Sequence, residues 1–229
     1  MIPPHVVWHD VECGGYAADL PLWRALARRA GGRVLDVGAG TGRVARDLAA
    51  AGHEVVALDR DPELLAVLRQ RAEGIETVVA DAADFTVAGT FGLVAVPMQT
   101  IQLLPDRAGF FASARRAIAP GGIVALAIAD DLEDFDSDAD LPRPDVGEVG
   151  GLRYVSQPTA VRATADGVRI ERLRRIAGEP AEPNVIVLAR VSAEALHAEG
   201  AAAGLRGEPS IRVAATEEHV GSEVVVLRG

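Results

Sequence analysis

A glycine-rich turn between a predicted strand and a predicted helix carries the clearest chemical pattern in this sequence. Residues 34–43 are Val-Leu-Asp-Val-Gly-Ala-Gly-Thr-Gly-Arg, with glycines at 38, 40 and 42. Glycine lets the backbone turn tightly and lets a ligand approach the main chain where a Cβ would be in the way. The segment therefore predicts a loop that binds a nucleotide-like molecule, although such a turn taken alone is often only a tight turn.

Three acidic residues accompany this loop at the ends of successive predicted strands. Asp36 lies inside the motif, whose Gly-x-Gly-x-Gly spacing differs from the Gly-x-Gly-x-x-Gly of dinucleotide enzymes. A carboxylate at this position would repel a pyrophosphate and suits a ligand that carries an ammonium group. Asp59 is placed to accept two hydrogen bonds from ribose hydroxyls, and Asp81 with Ala82 could hold an adenine amino group. Three acids aligned at one sheet edge are hard to explain without a ligand.

The elements that must position these residues follow from the hydrophobic pattern. From residue 33 onward, short β-branched runs alternate with alanine-rich segments of helical period, which predicts βαβ units around a doubly wound parallel sheet. The strand runs are apolar on both faces, as buried parallel strands are. Upstream, Asp19 is expected to cap a helix with Pro21 in its first turn. The predicted strands are 33–37, 54–58, 75–79, 91–96 and 122–128, and the predicted helices are 42–51, 62–72 and 105–118.

The regular alternation stops at residue 130. Residues 130–145 hold eight acidic side chains and two prolines, a composition that predicts a solvated loop. Two strand-like runs that flank Asp166-Gly167, and a third at 184–190, predict a small antiparallel β-sheet inserted at about 146–190. The core then resumes with a helix at 193–203 and strands at 210–214 and 223–227. We therefore expect three parts: a helical segment over 1–31, a core of 32–129 with 192–229, and an insertion over 130–191.

Composition excludes several function classes. All 23 basic residues are arginine, so a lysine Schiff base, a Walker lysine and a Tyr-x-x-x-Lys pair are impossible. A net charge of -10 with scattered arginines disfavours nucleic acid as a partner. The single cysteine, Cys13, offers no disulfide and no zinc-ligand spacing, so we expect no metal site and a cytoplasmic location. No leader sequence and no membrane span are apparent.

Four segments together resemble the class I S-adenosylmethionine (SAM)-dependent methyltransferases. They are VLDVGAGTG at 34–42, ALDRD at 57–61, DAADF at 81–85 and PGG at 120–122, which agree with the motifs of that family in order and spacing over roughly residues 31–129. The resemblance implies a Rossmann-like, mostly parallel seven-stranded sheet whose last strand is antiparallel. It also implies SAM as the cofactor and S-adenosylhomocysteine as the product, with residues 1–31 as a lid over the cofactor.

The resemblance further implies a set of cofactor contacts. Asp36, Gly38, Ala39 and Gly40 would line the methionine part of SAM, and Asp59 the ribose. The remaining predicted contacts are Arg60 on one adenine face, Asp81 with Ala82 at the adenine edge, and Pro97 after the fourth strand.

The methyl acceptor is expected at loops beyond the carboxyl ends of the strands. Residues 97–102 lack the Asn/Asp-Pro-Pro-Tyr signature of methyltransferases that act on nucleic-acid bases or protein glutamine. This favours a small-molecule acceptor methylated on oxygen or nitrogen, with the insertion as a substrate cover or as a contact in a possible homodimer. A hydroxyl acceptor usually needs a general base, whereas an amine needs only orientation. The candidate catalytic residues are His219, Tyr16, His9 and Gln99.

Two alternative functions remain open at this point. One is an NAD(P)-binding oxidoreductase, against which the absence of lysine, the glycine spacing and Asp36 all count. The other is a SAM-binding protein without catalysis, because no general base is identified in the sequence.

Overall fold

Two β-sheets organise the part of the chain that the computed structural model describes, which is residues 2–129, 132, 134, 141–165, 167–216 and 219–229. The larger sheet has seven strands in the order β10-β11-β5-β4-β1-β2-β3, and the smaller has four in the order β6-β7-β8-β9. The larger sheet comprises β1 (Val34–Val37), β2 (Val55–Asp59), β3 (Glu76–Val79), β4 (Phe91–Val96), β5 (Ile118–Ile128), β10 (Arg206–Val213) and β11 (Ser222–Arg228). The smaller comprises β6 (Asp145–Val149), β7 (Leu152–Thr164), β8 (Gly167–Ile176) and β9 (Glu182–Leu188).

Six α-helices and one 3₁₀ helix accompany the sheets in the described residues. Two precede β1, three alternate with the parallel strands, and one precedes β10. They are α1 (Pro4–Cys13), α2 (Leu20–Ala30), α3 (Arg43–Ala50), α4 (Pro62–Arg71), the 3₁₀ helix (Thr100–Leu103), α5 (Arg107–Ala117) and α6 (Ala193–Ala202).

The strand directions confirm the predicted topology. Strands β1, β2, β3, β4 and β5 pair in parallel, and β11 is antiparallel to both β5 and β10. Strand β10 therefore runs parallel to the first five strands, and the loop after it emerges at their carboxyl edge. The fold is a mostly parallel seven-stranded α/β sheet with one antiparallel strand and a separate small antiparallel sheet, as the sequence predicted.

Apolar side chains cover both faces of the larger sheet, because alternate residues of each strand point to opposite sides. On one face, Leu35 and Val37 of β1 join a cluster with side chains of α5 and α6. On the other, Val34 joins a cluster with side chains of α2, α3 and α4. Helix α4 begins where its sequence predicts, since the Asp61 carboxylate accepts hydrogen bonds from the N–H groups of its first turn and Pro62 follows.

Three local expectations from the sequence are wrong. Asp19 precedes α2 but makes no capping hydrogen bond, because its carboxylate is buried against other partners described below. Strand β5 begins at Ile118, so the Pro-Gly-Gly segment lies inside it. Asp145 begins β6 rather than ending a solvated loop, because the strand pairs with β7. The remaining expected loop acids, apart from Asp134, lie outside the described residues, as does Asp166.

Helix α1 packs against the inner face of the smaller sheet. The ring of Trp8 meets that of Tyr154 edge-on at 5.2 Å between centroids. On its other side, Val6 packs against Leu64 and Val67 of α4. Helix α1 thus bridges the two sheets. No helix in the described part of the chain is long and apolar enough to cross a membrane.

Candidate functional site

The glycine loop forms a tight turn at the carboxyl end of β1. Gly38 and Gly40 both have positive φ values, 72° and 56°. A Cβ on Gly38 would lie 2.5 Å from Cγ2 of Thr100, and one on Gly40 would lie 2.4 Å from Cε1 and Nε2 of the His9 ring. Both the backbone conformation and the close contacts therefore require glycine at these two positions.

Asp59 ties the end of β2 to this loop. Its carboxylate accepts hydrogen bonds from the N–H groups of Gly40 at 2.8 Å and Asp61 at 2.9 Å. Further along the same edge, the Asp81 carboxylate accepts a hydrogen bond of 2.8 Å from the N–H of Ala83. Arg60 and Asp81 are exposed, whereas Ala82 is buried. The ribose contact of Asp59 and the adenine contacts of Arg60, Asp81 and Ala82 stay predictions.

Asp36 is a buried carboxyl group in the middle of the site. Its side chain is 1% exposed, and within the described part of the chain neither oxygen has a hydrogen-bond partner. Burial raises the pKa of Asp36 to about 7, although the nearby Arg43 guanidinium and the backbone N–H of Ala45 oppose the shift. An unpaired buried carboxyl is costly, so Asp36 is a candidate for binding a polar ligand.

A first cavity of about 250 Å³ opens beside Asp36. It brings together several predicted site residues, namely Asp36, Gly38, Ala39, Pro97, His9 and Gln99. Gly40, Asp59, Arg60, Asp81 and Ala82 are not among its lining residues. The first cavity therefore contains three of the four residues predicted for the methionine part of SAM, namely Asp36, Gly38 and Ala39, and none of those predicted for the ribose and adenine.

Helix α1 is fastened across the first cavity at two points. At one, Asp10 accepts hydrogen bonds from the Thr41 hydroxyl at 2.5 Å and from the Arg71 guanidinium, 3.0 Å to Nη1. Burial works to raise the pKa of Asp10, but the hydrogen bonds from Arg71 and Thr41 outweigh it and lower that pKa.

At the other point, Glu12 receives the guanidinium of Arg174 in two hydrogen bonds of 2.7 Å and the hydroxyl of Ser156 in a third. Burial again acts to raise the pKa of the carboxyl, and the hydrogen bond from Arg174 reverses the direction. Paired in this way, Glu12 stays ionised and holds α1 on the smaller sheet.

His9 projects from α1 onto the glycine loop. Its Nδ1 is buried and has no hydrogen-bond partner among the described residues. Burial lowers the pKa of His9, although the negative charges of nearby carboxylates, including Asp10 and Asp59, act to raise it. The neutral ring therefore occupies the space in front of Gly40.

A second cavity of about 240 Å³ lies between the larger sheet and the inner face of the smaller one. One wall is apolar and comes largely from the smaller sheet, with Pro158, Val161, Ile170, Ile186 and Leu188. The polar lining includes Tyr16, Gln99, Arg172, Asp145, His219 and Ser222. Arg172 donates to Asp145 at 2.6 Å, so these two charges satisfy each other.

The two cavities share a boundary. Residues that line both are Glu12, Cys13, Met98, Gln99, Ile186 and Leu188. Met98, in the loop after β4, has a φ of 54°, a left-handed conformation that is uncommon outside glycine and concentrates at functional sites. Of the four predicted catalytic candidates, Gln99 lies at this boundary, His9 lines the first cavity, and Tyr16 and His219 line the second.

Tyr16 and His219 lie against each other. Their ring centroids are 4.9 Å apart with an interplanar angle of 37°. Because residue 16 precedes α2 and residue 219 follows β10, the fold joins two candidates that are distant in sequence. Burial raises the pKa of the Tyr16 phenol, which keeps it neutral. Glu217 and Glu218, in the same loop as His219, lie outside the described residues.

Sequence reasoning missed Arg43, although it follows the glycine motif directly. Its guanidinium donates to both oxygens of Asp19, at 2.5 and 2.8 Å, and to the Tyr16 carbonyl at 2.8 Å. Asp19 is 2% exposed and also accepts the indole N–H of Trp23 at 2.8 Å. These contacts explain why Asp19 makes no helix cap.

Gln102 has a structural role in the fold. Its amide nitrogen donates to the carbonyls of Ala129 and Ala189, at 3.1 and 3.2 Å, and its amide oxygen accepts the Ala129 N–H at 2.8 Å. It therefore joins the end of β5 to the segment that leaves β9.

Solved methyltransferase structures share this fold over nearly the whole chain. SAM-bound CalS10, an amino pentose methyltransferase from Micromonospora echinaspora, has a TM-score of 0.72 at 21% identity and covers 100% of this chain and 98% of that chain. The sugar N-methyltransferase KedS8 from Streptoalloteichus sp. has a TM-score of 0.76 at 22% identity, with 100% and 94% covered. Identities this low establish the fold alone.

A family model described as a methyltransferase domain matches residues 34–122. Over these residues the chain is similar to a methyltransferase domain. The resemblance inferred from the four sequence motifs is thereby confirmed.

Curated relatives match only part of the chain. Trans-aconitate 2-methyltransferase of Acidovorax sp. (strain JS42) is 30% identical over 102 residues, 44% of this chain and 39% of that protein. Demethylmenaquinone methyltransferase of Clavibacter sepedonicus is 36% identical over 114 residues, 46% of each. The chain thus spans less than half the length of these relatives.

The matched residues, 34–122, contain Asp36, the glycine loop and the Met98–Gln99 boundary. It leaves out α1 and the smaller sheet. The elements that close the first cavity and form the apolar wall of the second therefore lie outside the region shared with the family model.

Proposed function

We propose that this protein transfers a methyl group from SAM to a small molecule by direct in-line displacement. SAM would occupy the first cavity and extend along the sheet edge past Asp59, and the acceptor would occupy the second cavity. The observation that carries the proposal is that two cavities of similar size, about 250 and 240 Å³, meet at Met98 and Gln99. An acceptor atom at this boundary would lie beside the methyl group.

The residues of the first cavity suit SAM. The cofactor carries an ammonium group, and Asp36 offers a buried carboxyl whose oxygens have no other hydrogen-bond partner in the described chain. Gly38 and Ala39 line the same cavity, so the turn after β1 would contact the methionine part of SAM. Asp59 keeps acceptor capacity beyond its two backbone hydrogen bonds, because a carboxylate offers about four acceptor positions. Arg60, Asp81 and Ala82 would then hold the adenine.

SAM supplies an already activated methyl group. The work left to this chain is to align the acceptor, exclude water and keep the reacting atom unprotonated. Proximity and orientation can lower an activation free energy by ~7–11 kcal/mol, and alignment of the acceptor alone can supply several kcal/mol of this. Helix α1 and the smaller sheet would exclude water by covering the two cavities.

The second cavity favours an acceptor with an apolar body and a polar end. Its apolar wall would pack against the body. The described charged side chains of the lining are Arg143, Glu12, which is paired with Arg174, and Arg172, which is paired with Asp145. The polar end would then reach Gln99, Tyr16 or His219. An amine would need only orientation there, whereas a hydroxyl would need a base, for which His219 is the candidate imidazole.

The test is turnover with matched acceptors. CalS10 and KedS8 are named as methyltransferases of an amino pentose and of a sugar nitrogen, so the first panel pairs amino sugars with the corresponding hydroxyl sugars. Formation of S-adenosylhomocysteine is measured by mass spectrometry. We expect product with at least one acceptor class. SAM binding without product from a broad metabolite panel would favour a non-catalytic SAM-binding protein, and NADH binding by fluorescence would favour an oxidoreductase.

Two variants on one strand separate the cavities. Ile170 on β8 lines the second cavity, whereas Leu173 lies on the opposite face of the same strand and is exposed. Ile170→Phe is expected to fill the second cavity, keeping SAM binding while losing turnover. Leu173→Phe is the control and should keep both. Equal turnover in the two variants would contradict the assignment of the second cavity to the acceptor.

A further inference from the structure

The Tyr16 ring contacts groups that belong to both cavities. It is 7% exposed, and its centroid lies 4.9 Å from that of His219. The guanidinium carbon of Arg43 lies 5.1 Å from the same centroid. Tyr16 and His219 line the second cavity, whereas Arg43 lines the first. Tyr16 is therefore the physical link between the glycine loop and the polar end of the second cavity.

Arg43 is held rigidly in this position. The side chain is 10% exposed and pairs with Asp19, which is 2% exposed. Its planar guanidinium donates three hydrogen bonds, two to the Asp19 carboxylate and one to the Tyr16 carbonyl. Lysine has a single ammonium group and cannot reproduce this arrangement while also covering an aromatic ring. The contacts thus fix both the backbone and the ring of Tyr16.

The location of Arg43 explains how the glycine loop beside the first cavity could position Tyr16 in the second. It is the first residue of α3 and follows Gly42 directly, so its backbone is continuous with the glycine loop. Asp19 at the start of α2 and Trp23 one turn later complete the network. These side chains lie between the glycine loop and the segment that carries Tyr16.

We propose that Arg43 is a positioning residue that acts through Tyr16, holding its ring against His219 and so setting the polar end of the acceptor cavity from the cofactor loop. This rests on the proposed function, in which the second cavity holds the acceptor. Arg43 itself is not required to touch the acceptor. Replacing it would displace Tyr16 and change the surroundings of His219.

Nuclear magnetic resonance tests this without an acceptor. The chain has five histidines and two tryptophans, so the His219 ring signals can be assigned with His219→Gln. The aromatic ring of Tyr16, 4.9 Å from that of His219, changes the chemical shifts of the His219 signals. Comparing wild type with Tyr16→Leu measures the size of this change. We expect Arg43→Lys to move the His219 signals in the same direction and by a comparable amount. Arg46→Lys, on the exposed side of α3, is the matched control and should leave them in place.

The two tryptophan indole signals distinguish a local displacement around Arg43 from unfolding of the protein. Trp23 donates to Asp19 and should shift in Arg43→Lys, whereas Trp8 packs on Tyr154 and should not. An Arg43→Lys protein with an unchanged Trp8 signal and unchanged His219 signals would overturn the proposal. If Arg43→Lys does not fold, Asp19→Asn takes its place, because it weakens the hold on Arg43 while keeping an oxygen for Trp23.

Titration with SAM keeps this proposal distinct from the proposed function. Failure of the wild-type protein to bind SAM would contradict the proposed function and leave the His219 result unaffected. If the protein binds SAM but the His219 signals do not shift in Arg43→Lys, only the positioning role is contradicted. Once an acceptor is known, Arg43→Lys should raise its KM more than that of SAM, and equal changes in both would also count against the proposal.

Discussion

The carboxylate of Asp59 accepts a hydrogen bond of 2.8 Å from the backbone N–H of Gly40. The last residue of β2 therefore fixes the turn that follows β1, although 19 positions separate the two in sequence. The same loop meets the His9 ring on its other side. The glycine loop is thus held between the sheet edge and helix α1, and this arrangement leads to several predictions.

Gly40→Ala should destabilise the protein and weaken SAM binding. The new methyl group would lie 2.4 Å from the His9 ring at a φ of 56°, so it adds a collision to a backbone strain of about 1 kcal/mol. Chemical denaturation and calorimetry with SAM measure the two effects.

Gly52→Ala is the matched control for strain alone, because Gly52 has a φ of 90° and a Cβ there would meet nothing within 4 Å. We expect Gly40→Ala to cost more than Gly52→Ala, and His9→Ala to recover the difference in the double variant. Equal losses in the two glycine variants would show that the contact with His9 carries no weight.

SAM affinity should fall as the pH is lowered from 8 to 6. The pKa of Asp36 is raised to about 7, so the carboxyl becomes neutral over this interval and loses its attraction for the ammonium group of SAM. The limiting slope is about tenfold per pH unit for one linked proton. Asp36→Asn should bind SAM weakly with little pH dependence, whereas the exposed control Asp84→Asn should retain the wild-type profile. A wild-type affinity that is constant from pH 6 to 8 would contradict this role.

The same shift makes a prediction for the ligand-free protein. Asp36 has a higher pKa when folded than its ordinary value of 3.8, so folding takes up a proton between about pH 4 and pH 7. Its contribution to stability is therefore fully present below about pH 4 and is lost as the pH rises through about 7. Relative to wild type, Asp36→Asn should gain stability at pH 8, as denaturant titrations at several pH values would show.

Gln102→Ala should reduce stability through lost hydrogen bonds. Gln102 is 3% exposed, and its removal leaves main-chain groups of Ala129 and Ala189 without their side-chain partner. An orphaned buried polar group costs about 1–3 kcal/mol. Gln102→Met, which keeps the volume, should lose nearly as much in urea denaturation. Gln70→Ala, on the exposed side of α4, should change little. A fully stable Gln102→Met protein would argue that only packing matters there.

Asp10→Ala should loosen helix α1. The change removes Asp10 as the hydrogen-bond partner of Arg71 and Thr41, and with it a contact that fastens α1 to α4 and to the glycine loop. Hydrogen exchange in residues 4–13 should become faster, and SAM should dissociate faster, because the cover over the first cavity opens more often. His5→Ala removes a more exposed side-chain contact of the same helix, the one with Asp61, and serves as the control. Unchanged exchange in Asp10→Ala would mean that apolar packing alone holds α1.

The sequence predicted the larger sheet well, for physical reasons that are visible in the strands. β1, β2 and β4 are apolar on both faces, so their boundaries agree with the prediction within about two residues. The end of β2 at Asp59 and the turn at Gly40 were also predicted, because residue type and local spacing determine them. The location in the cytoplasm and a possible homodimer stay predictions.

Long-range contacts account for what the sequence did not predict. Helix α1 was not resolved within the predicted helical segment, because its stability depends on Trp8 packing against Tyr154 and on Glu12 pairing with Arg174. Asp19 looked like a helix cap because its neighbours in sequence are helical. Its actual partner, Arg43, lies 24 positions away, and no local pattern indicates that pair.

Calorimetric titration with SAM tests the central claim most directly, comparing wild type with Asp59→Ala and Asp84→Ala. Asp59 holds the glycine loop and would hold the ribose, whereas the Asp84 side chain is 95% exposed. We predict that wild type and Asp84→Ala bind one SAM per chain with similar affinity and that Asp59→Ala binds at least about tenfold more weakly, a change of about 1.4 kcal/mol. Absence of SAM binding by the wild-type protein, or equal affinity in folded Asp59→Ala, would contradict the account.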